Sequence, residues 1–324
     1  MYFNNKNNFY HGITFHLFHD QNLHKISQGS IDKDNFYKIL KYLGTENIIN
    51  AEDFSIRLKE NKLKSKDICI TFDDGNKSQY DVALPILEDL KIKSFFFVYS
   101  SLFEGNPDLI EIYRFFRINF FKNVDEFYEV FFKKLDHNLK EFFYKENKNI
   151  NYIKEKFSYY SFNDIKFRFV RDKLLIKNEY NEIMSDLMSQ KKFNYKDYYD
   201  LLFLSKDNLC EMNKLGHTIG LHSHTHPTTL ANLSYEDQNY EYNKNIEILT
   251  KVLNLKKKPI NSVSHPSGSY NDNTIKILKN LKIEIGFKNI MFLEPDRKDK
   301  KINNSSLEIA RQDHAEIMSN MRIR

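Results

Sequence analysis

The chain has no tryptophan, only two cysteines, and nine glycines and six prolines in 324 residues. Glycine and proline thus fall well below their usual shares of roughly 7% and 5%. Collagen-like, proline-rich and Gly/Ser-linker architectures are excluded, and each glycine or proline that remains should mark a place where the backbone needs it. Cys69 and Cys210 are too few for a disulfide framework. No run of about 18 apolar residues is present to span a membrane. The opening Met1–Asn8 has no unbroken apolar segment of secretory type, and the first apolar run, Ile13–Phe18, is interrupted by His16. A cytoplasmic, reducing location is expected. Charge of one sign is lacking too: 49 Lys+Arg against 44 Asp+Glu leave a net charge of +5. No basic stripe is dense enough to argue for nucleic acid, and Lys256–Lys258 reads as a solvated helix end.

What is present is enough to bury a core: 41% of the residues are hydrophobic and 29% charged. Gly12–Phe18, Asp67–Phe72 and Ser94–Val98 read as strands. Asp34–Leu43 and Ser78–Leu90 read as helices, the second with a kink or late start at Pro85. The pattern resumes later. Thr218–Leu221, Asn261–Ser264 and Ile283–Phe287 are expected strands, and Asp207–Leu215, Ser234–Leu253 and Asn273–Leu281 expected helices, with a capping-box-like start at Ser234. Strand–helix alternation at this pitch predicts an α/β fold with a parallel sheet. Between them, residues 104–205 are dense in Phe, Tyr and Lys at helical spacing and carry one of the 11 histidines, His137. This stretch is read as a helical insertion within one catalytic domain, suited to packing, to a lid or to self-association as an oligomer.

Four constellations carry chemistry. Asp73-Asp74 places two carboxylates at a strand end, where a proton or a metal would relieve their repulsion; an acidic helix start would explain them equally well. His222, His224 and His226 directly follow a strand. The outer pair, four residues apart, can converge on one ion, whereas His224 then points elsewhere. His265-Pro266-Ser267-Gly268 places scarce Pro and Gly in one loop. His16, His19 and Asp20 follow the first strand. Strand C-terminal ends share one rim in α/β folds, and sites are built there.

Together these residues resemble the polysaccharide deacetylase family, the NodB-homology enzymes of carbohydrate esterase family 4. Its first motif stands as Thr71-Phe72-Asp73-Asp74-Gly75 and its second as His222-Ser223-His224-Thr225-His226-Pro227, roughly 150 residues apart. The likeness covers about residues 10–103 and 206–315. It implies a deformed (β/α) barrel of about seven parallel strands. It further implies that Asp74, His222 and His226 bind a divalent metal, zinc foremost, with Co, Mn, Ni or Fe as alternatives. Asp73 would be the general base toward water, and a backbone N–H, by analogy that of Ser267, would meet the oxyanion; His16 and Ser223 are further candidates to meet substrate. The third motif's arginine is not in place: Ser264 stands at the matching position, and Arg311 or His265 are candidates to replace it. The fourth motif's tryptophan is absent, and the late histidine motif survives only as Asp313-His314. The catalytic acid is therefore open among His19, His16 and His314.

The expected activity is metal-dependent removal of an N-acetyl group from an amino sugar. The expected partner is a carbohydrate, an acetamido sugar that is nucleotide- or lipid-linked, as a cytoplasmic precursor of surface polysaccharide; neither nucleic acid nor a membrane span is expected. The alternatives are hydrolysis of another non-peptide C–N bond or of an O-acetyl ester, or an inactive carbohydrate-binding homologue.

Overall fold

The computed structural model describes residues 8–156, 160–255, 260–293 and 301–321, so the Lys256–Lys258 run lies outside the described residues. They form two compact units, one comprising residues 1–24, 29–108 and 200–324 and the other 25–28 and 109–199.

In the first unit the chain runs through β1 (His11–Phe15), the short pair β2 (Leu17–Phe18) and β3 (Ser30–Ile31), α1 (Lys33–Leu43), α2 (Ala51–Lys59), β4 (Ile68–Phe72), α3 (Leu84–Asp89) and β5 (Phe95–Val98). The other unit contributes α4 (Leu109–Asn119), α5 (Val124–Lys133), α6 (Leu139–Lys156), α7 (Phe162–Phe169) and α8 (Lys177–Gln190). After α9 (Tyr199–Leu202) the first unit continues with α10 (Lys206–Lys214), β6 (Thr218–Leu221), α11 (Tyr235–Val252), β7 (Ser262–Ser264), α12 (Asp272–Asn280), β8 (Ile285–Phe287), β9 (Arg311–Asp313) and α13 (His314–Met321).

Seven strands form one parallel sheet in the order β8-β7-β6-β5-β4-β1-β9. The segment before β9 closes it. Gly286 donates to Ser306 O at 2.8 Å and Lys288 to Ile309 O at 2.9 Å, while the same segment pairs with β1 through Gly12 N–H to Ala310 O at 2.9 Å. The two sheet edges are thereby joined, giving the expected deformed (β/α) barrel. The central strands β4 and β5 are predominantly apolar, as a sheet covered on both faces requires. β4, Ile-Cys-Ile-Thr-Phe, is buried at every position.

Strand periodicity of two sorts the side chains. Phe95 and Phe97 of β5 lie 5.3 Å and 5.5 Å from Phe287 of β8, although β6 and β7 separate the two strands in the sheet. Only rings inside the barrel can meet this way. Cys69 and Ile309 join that interior cluster, with Phe54 of α2 also packed into it. The alternate residues face outward: Phe72 stacks on Phe96 at 4.4 Å, and Phe15 meets Phe36 of α1 at 4.9 Å.

The expected helices and strands occur, Thr218–Leu221 with both ends as expected and most others with ends shifted by no more than two residues, while Gly12–Phe18 is split at His16 into β1 and β2. Ser78–Leu90 begins as a π-type turn, Gln79–Ala83, before α3, whose first turn holds Pro85. Ser234 caps α11 by accepting the Asp237 N–H, and its hydroxyl donates to the Asp237 carboxylate. In the second unit, Phe116, Phe127, Phe131 and Phe167 are fully or almost fully buried, and the Arg117 guanidinium lies 4.8 Å above the Phe167 ring. Gln28 accepts from Arg168 Nη2 at 2.6 Å, so residues 25–28 belong with this unit.

Candidate active site

Continuing the inward alternation one step past each strand places the chemistry. Cys69 and Thr71 face the interior of β4, so Asp73 follows them there; Gly220 faces in on β6, so His222 follows. Ser264 ends β7 and Arg311 opens β9. With all strands parallel, the residues past their ends share one rim of the barrel.

Asp73 and Arg311 form the centre. Arg311 is 1% exposed, and each of its five N–H groups has a partner. Nη1 and Nη2 donate to the two Asp73 carboxylate oxygens at 2.7 Å each. Nη1 also reaches Thr71 Oγ1 at 3.3 Å, Nη2 reaches Ser264 Oγ at 2.8 Å, and Nε reaches Lys288 O at 2.9 Å. Ser264 Oγ in turn donates to Asp73 Oδ2 at 3.0 Å. The arginine stem runs past Gly12, where an added Cβ would approach Arg311 Cγ to 3.0 Å. Burial by itself would raise the Asp73 pKa, but the Arg311 guanidinium, with His222 and His16 nearby, outweighs it and holds the carboxyl below its ordinary range. Of the two candidates to replace the third-motif arginine, Arg311 reaches Asp73. His265 instead has Nε2 at 2.9 Å from Leu307 O and its ring stacked on Tyr270 at 4.2 Å.

Asp74, His222 and His226 converge. Asp74 Oδ1 lies 3.2 Å from His222 Nε2 and 3.4 Å from His226 Nε2. Two donors bound at roughly 2.0–2.1 Å to one tetrahedral ion stand about 3.3 Å apart. The far ring nitrogens are engaged: His222 Nδ1 with Ser264 O at 2.8 Å and His226 Nδ1 with Asp108 Oδ2 at 2.6 Å. A carbonyl and a carboxylate only accept, so both Nδ1 atoms carry the proton and both Nε2 lone pairs face Asp74. The donor set therefore fits a divalent metal. Burial would raise the Asp74 pKa, but the neighbouring imidazoles, His222 first and then His226 and His16, outweigh it and favour the carboxylate far below its ordinary range.

The backbone is bent to this purpose. Asp74, Ser223 and His226 adopt left-handed φ of 75°, 64° and 57°, each costing on the order of 1 kcal/mol outside glycine. Gly75 follows at φ 69°, where a Cβ would meet Val98 Cγ1 at 2.9 Å. Ser223 Oγ accepts the His226 N–H at 3.1 Å and so closes the turn between the two histidines. His224 points away, as expected: its Nδ1 meets Ser100 Oγ at 3.0 Å and its N–H donates to Glu241 at 2.8 Å.

The remaining candidates separate. His16 Nε2 lies 3.9 Å from Asp73 Oδ2, its side chain 36% exposed. His19 faces Ser30 and Asp32, at 2.8 Å and 4.0 Å. His314 is buried flat on Phe15 at 5.4 Å beside the Asp313 carboxylate, and burial lowers its pKa. Ser267 is exposed in the turn after β7 with φ 51°. Asp108 and Tyr99, which hold His226, carry no motif signal; 118 positions separate Asp108 from its partner.

A deformed (β/α) barrel bearing this rim is the NodB-homology fold. The family model for polysaccharide deacetylase matches residues 60–114 and 168–286, more than half of the chain. The chain belongs to that family, which places it among hydrolases of acylated carbohydrate. The matched segments contain Asp73, Asp74, His222 and His226 and leave out His16 and Arg311. Similar solved structures include the deacetylase PplD of Streptococcus pyogenes in complex with acetate, 17% identical with a TM-score of 0.54 over 93% of this chain and 90% of that one. IcaB from Ammonifex degensii is 15% identical, with a TM-score of 0.53 over 94% and 91%. The BpsB deacetylase domain from Bordetella bronchiseptica is 14% identical, with a TM-score of 0.51 over 94% and 95%. At these identities the likeness is one of fold. No curated protein matches by sequence. Among the described residues, no helix is long and apolar enough to cross a membrane.

Proposed function

We propose that the protein is a metal-dependent deacetylase that removes the N-acetyl group of an amino sugar in surface-polysaccharide biosynthesis. One observation carries this reading: a carboxylate held ionised by a fully hydrogen-bonded arginine stands next to a His-His-Asp donor set at the strand-end rim. A divalent ion, zinc foremost, supplies when bound Lewis acidity toward the acyl carbonyl and toward water. Asp73 accepts the proton of the attacking water. Arg311 keeps it unprotonated for that step, and Ser264 fixes its orientation. His16, the histidine whose ring reaches within 3.9 Å of Asp73 while remaining open to solvent, gives a proton to the departing amine. Ser267, exposed after β7, is the candidate to meet the oxyanion. A cytoplasmic precursor sugar is the substrate we favour, and the two free cysteines agree with a reducing compartment.

An inactive homologue would have lost the arginine that orients the base, but here Arg311 supplies it from another strand. The test is acetate release by zinc-loaded protein from N-acetylated and O-acetylated saccharides, as oligomers and as nucleotide-linked monomers. Release from the N-acetylated set, reduced about 10²- to 10⁴-fold by Asp73→Asn, is expected. Activity unchanged in Asp73→Asn, or no acetate from any N-acetylated saccharide, overturns the reading.

A further inference from the structure

His222 is oriented by a backbone carbonyl of the neighbouring strand, which needs no special residue. His226 is held differently. It sits beyond β6 in a left-handed turn, and what faces its Nδ1 is the carboxylate of Asp108, at 2.6 Å, with the aspartate side chain only 14% exposed. Asp108 is itself fastened: its N–H donates to Tyr99 Oη at 3.0 Å, and the Tyr99 ring stacks on His226 at 5.5 Å. The whole segment after β5 is tied to the histidine loop, Ser101 N–H donating to His224 O at 2.9 Å and Ser100 Oγ meeting His224 Nδ1 at 3.0 Å.

We infer that Asp108 is the positioning residue of the metal ligand His226. Its carboxylate fixes the Nδ1–H tautomer, sets the ring plane together with Tyr99, and raises the basicity of Nε2 toward the ion. Asp108 acts on the site through the imidazole. This inference rests on the proposed metal site and adds to it a residue outside both motifs, the last of the barrel unit before α4.

The experiment is zinc affinity of the full chain by competition with a chromophoric chelator, together with the visible absorption of the cobalt-substituted protein. Asp108→Asn keeps the shape and loses the charge, Asp108→Ala removes the group, and Asp74→Asn removes a ligand. Asp108→Asn should weaken zinc about 10- to 100-fold and alter the cobalt band, with the metal-free melting temperature close to that of the parent. A purely structural role would lower the metal-free melting temperature and leave the cobalt band intact. If Asp74→Asn abolishes binding while Asp108→Asn binds zinc within twofold of the parent, Asp108 has no such role and the metal site stands. If Asp74→Asn binds zinc as the parent does, the donor set itself is misassigned and the inference falls with it. Should Asp108→Ala fail to fold, Asp108→Asn alone decides.

Discussion

Asp73 and Arg311 show what a single pair contributes when buried. A charge that loses its partner inside a protein costs about 3–5 kcal/mol, whereas replacing both partners by groups of similar volume is often neutral. Arg311→Ala should therefore lower unfolding free energy by about that much, and the double variant Asp73→Asn/Arg311→Met should recover most of it without recovering activity. Urea unfolding with acetate release checks both; an Arg311→Ala protein as stable as the parent would show that water or another residue compensates. Asp73, Asp74, His222 and His226 were legible because each pair lies within five residues in the sequence, where adjacency alone fixes proximity. Which residue holds Asp73 was not: Arg311 and His265 both fitted, and only the path of the arginine stem past Gly12 separates them.

At the scale of the element, β6 delivers both histidines, and its fit against its neighbours decides where they point. A Cβ on Gly220 would lie 2.5 Å from the Phe97 ring and 2.6 Å from Ser262 Oγ. That ring is fully buried and packed against Phe95 and Phe287, so it has no room to yield. Gly220→Ala should cost about 1–3 kcal/mol and also weaken zinc binding, because His222 follows two residues later, just past the end of the strand. Thermal melting and chelator competition read the two effects; an unshifted melting temperature would mean the barrel accommodates the methyl. Long apolar strands and capped helices were readable from pattern. β9 was not, because Arg-Gln-Asp has no strand signature. Its extended form follows from pairing with β1, and the closure of the barrel depends on it.

The whole molecule responds to acid through histidines far from the rim as well as through its carboxylates. His11 and His217 are buried, and burial lowers both pKa values to about 4, against a hydrogen bond to the Phe9 carbonyl in one case and to Glu88 in the other. His217 is locked neutral: Nδ1 accepts the Ser94 N–H at 3.1 Å, while Nε2 donates to Glu88 at 2.9 Å. Glu88 draws its positive partner from Lys93 instead, with Nζ at 2.6 Å and 2.7 Å from its two oxygens. The unfolded chain, with histidines near 6.5, binds more protons than the folded one between those values. Stability is thus full above about pH 6.5 and falls as pH drops toward 4, by up to about 3 kcal/mol for each histidine. Melting temperature against pH checks this, with His217→Gln expected to flatten the slope in that window; a slope identical to the parent's would assign the acid sensitivity elsewhere.

Taken alone, the amino-acid order determined the fold class and the two motifs. Strand and helix periodicities are local, and histidines four residues apart can converge by chain geometry alone. Tertiary structure decided the rest: Arg311 on Asp73, 238 positions away, Ser264 between them, His16 rather than His19 beside Asp73, and Asp108 behind His226. Each of these contacts joins strand ends or loops that meet only when the parallel sheet closes, and no spacing along the chain encodes which ends will face each other.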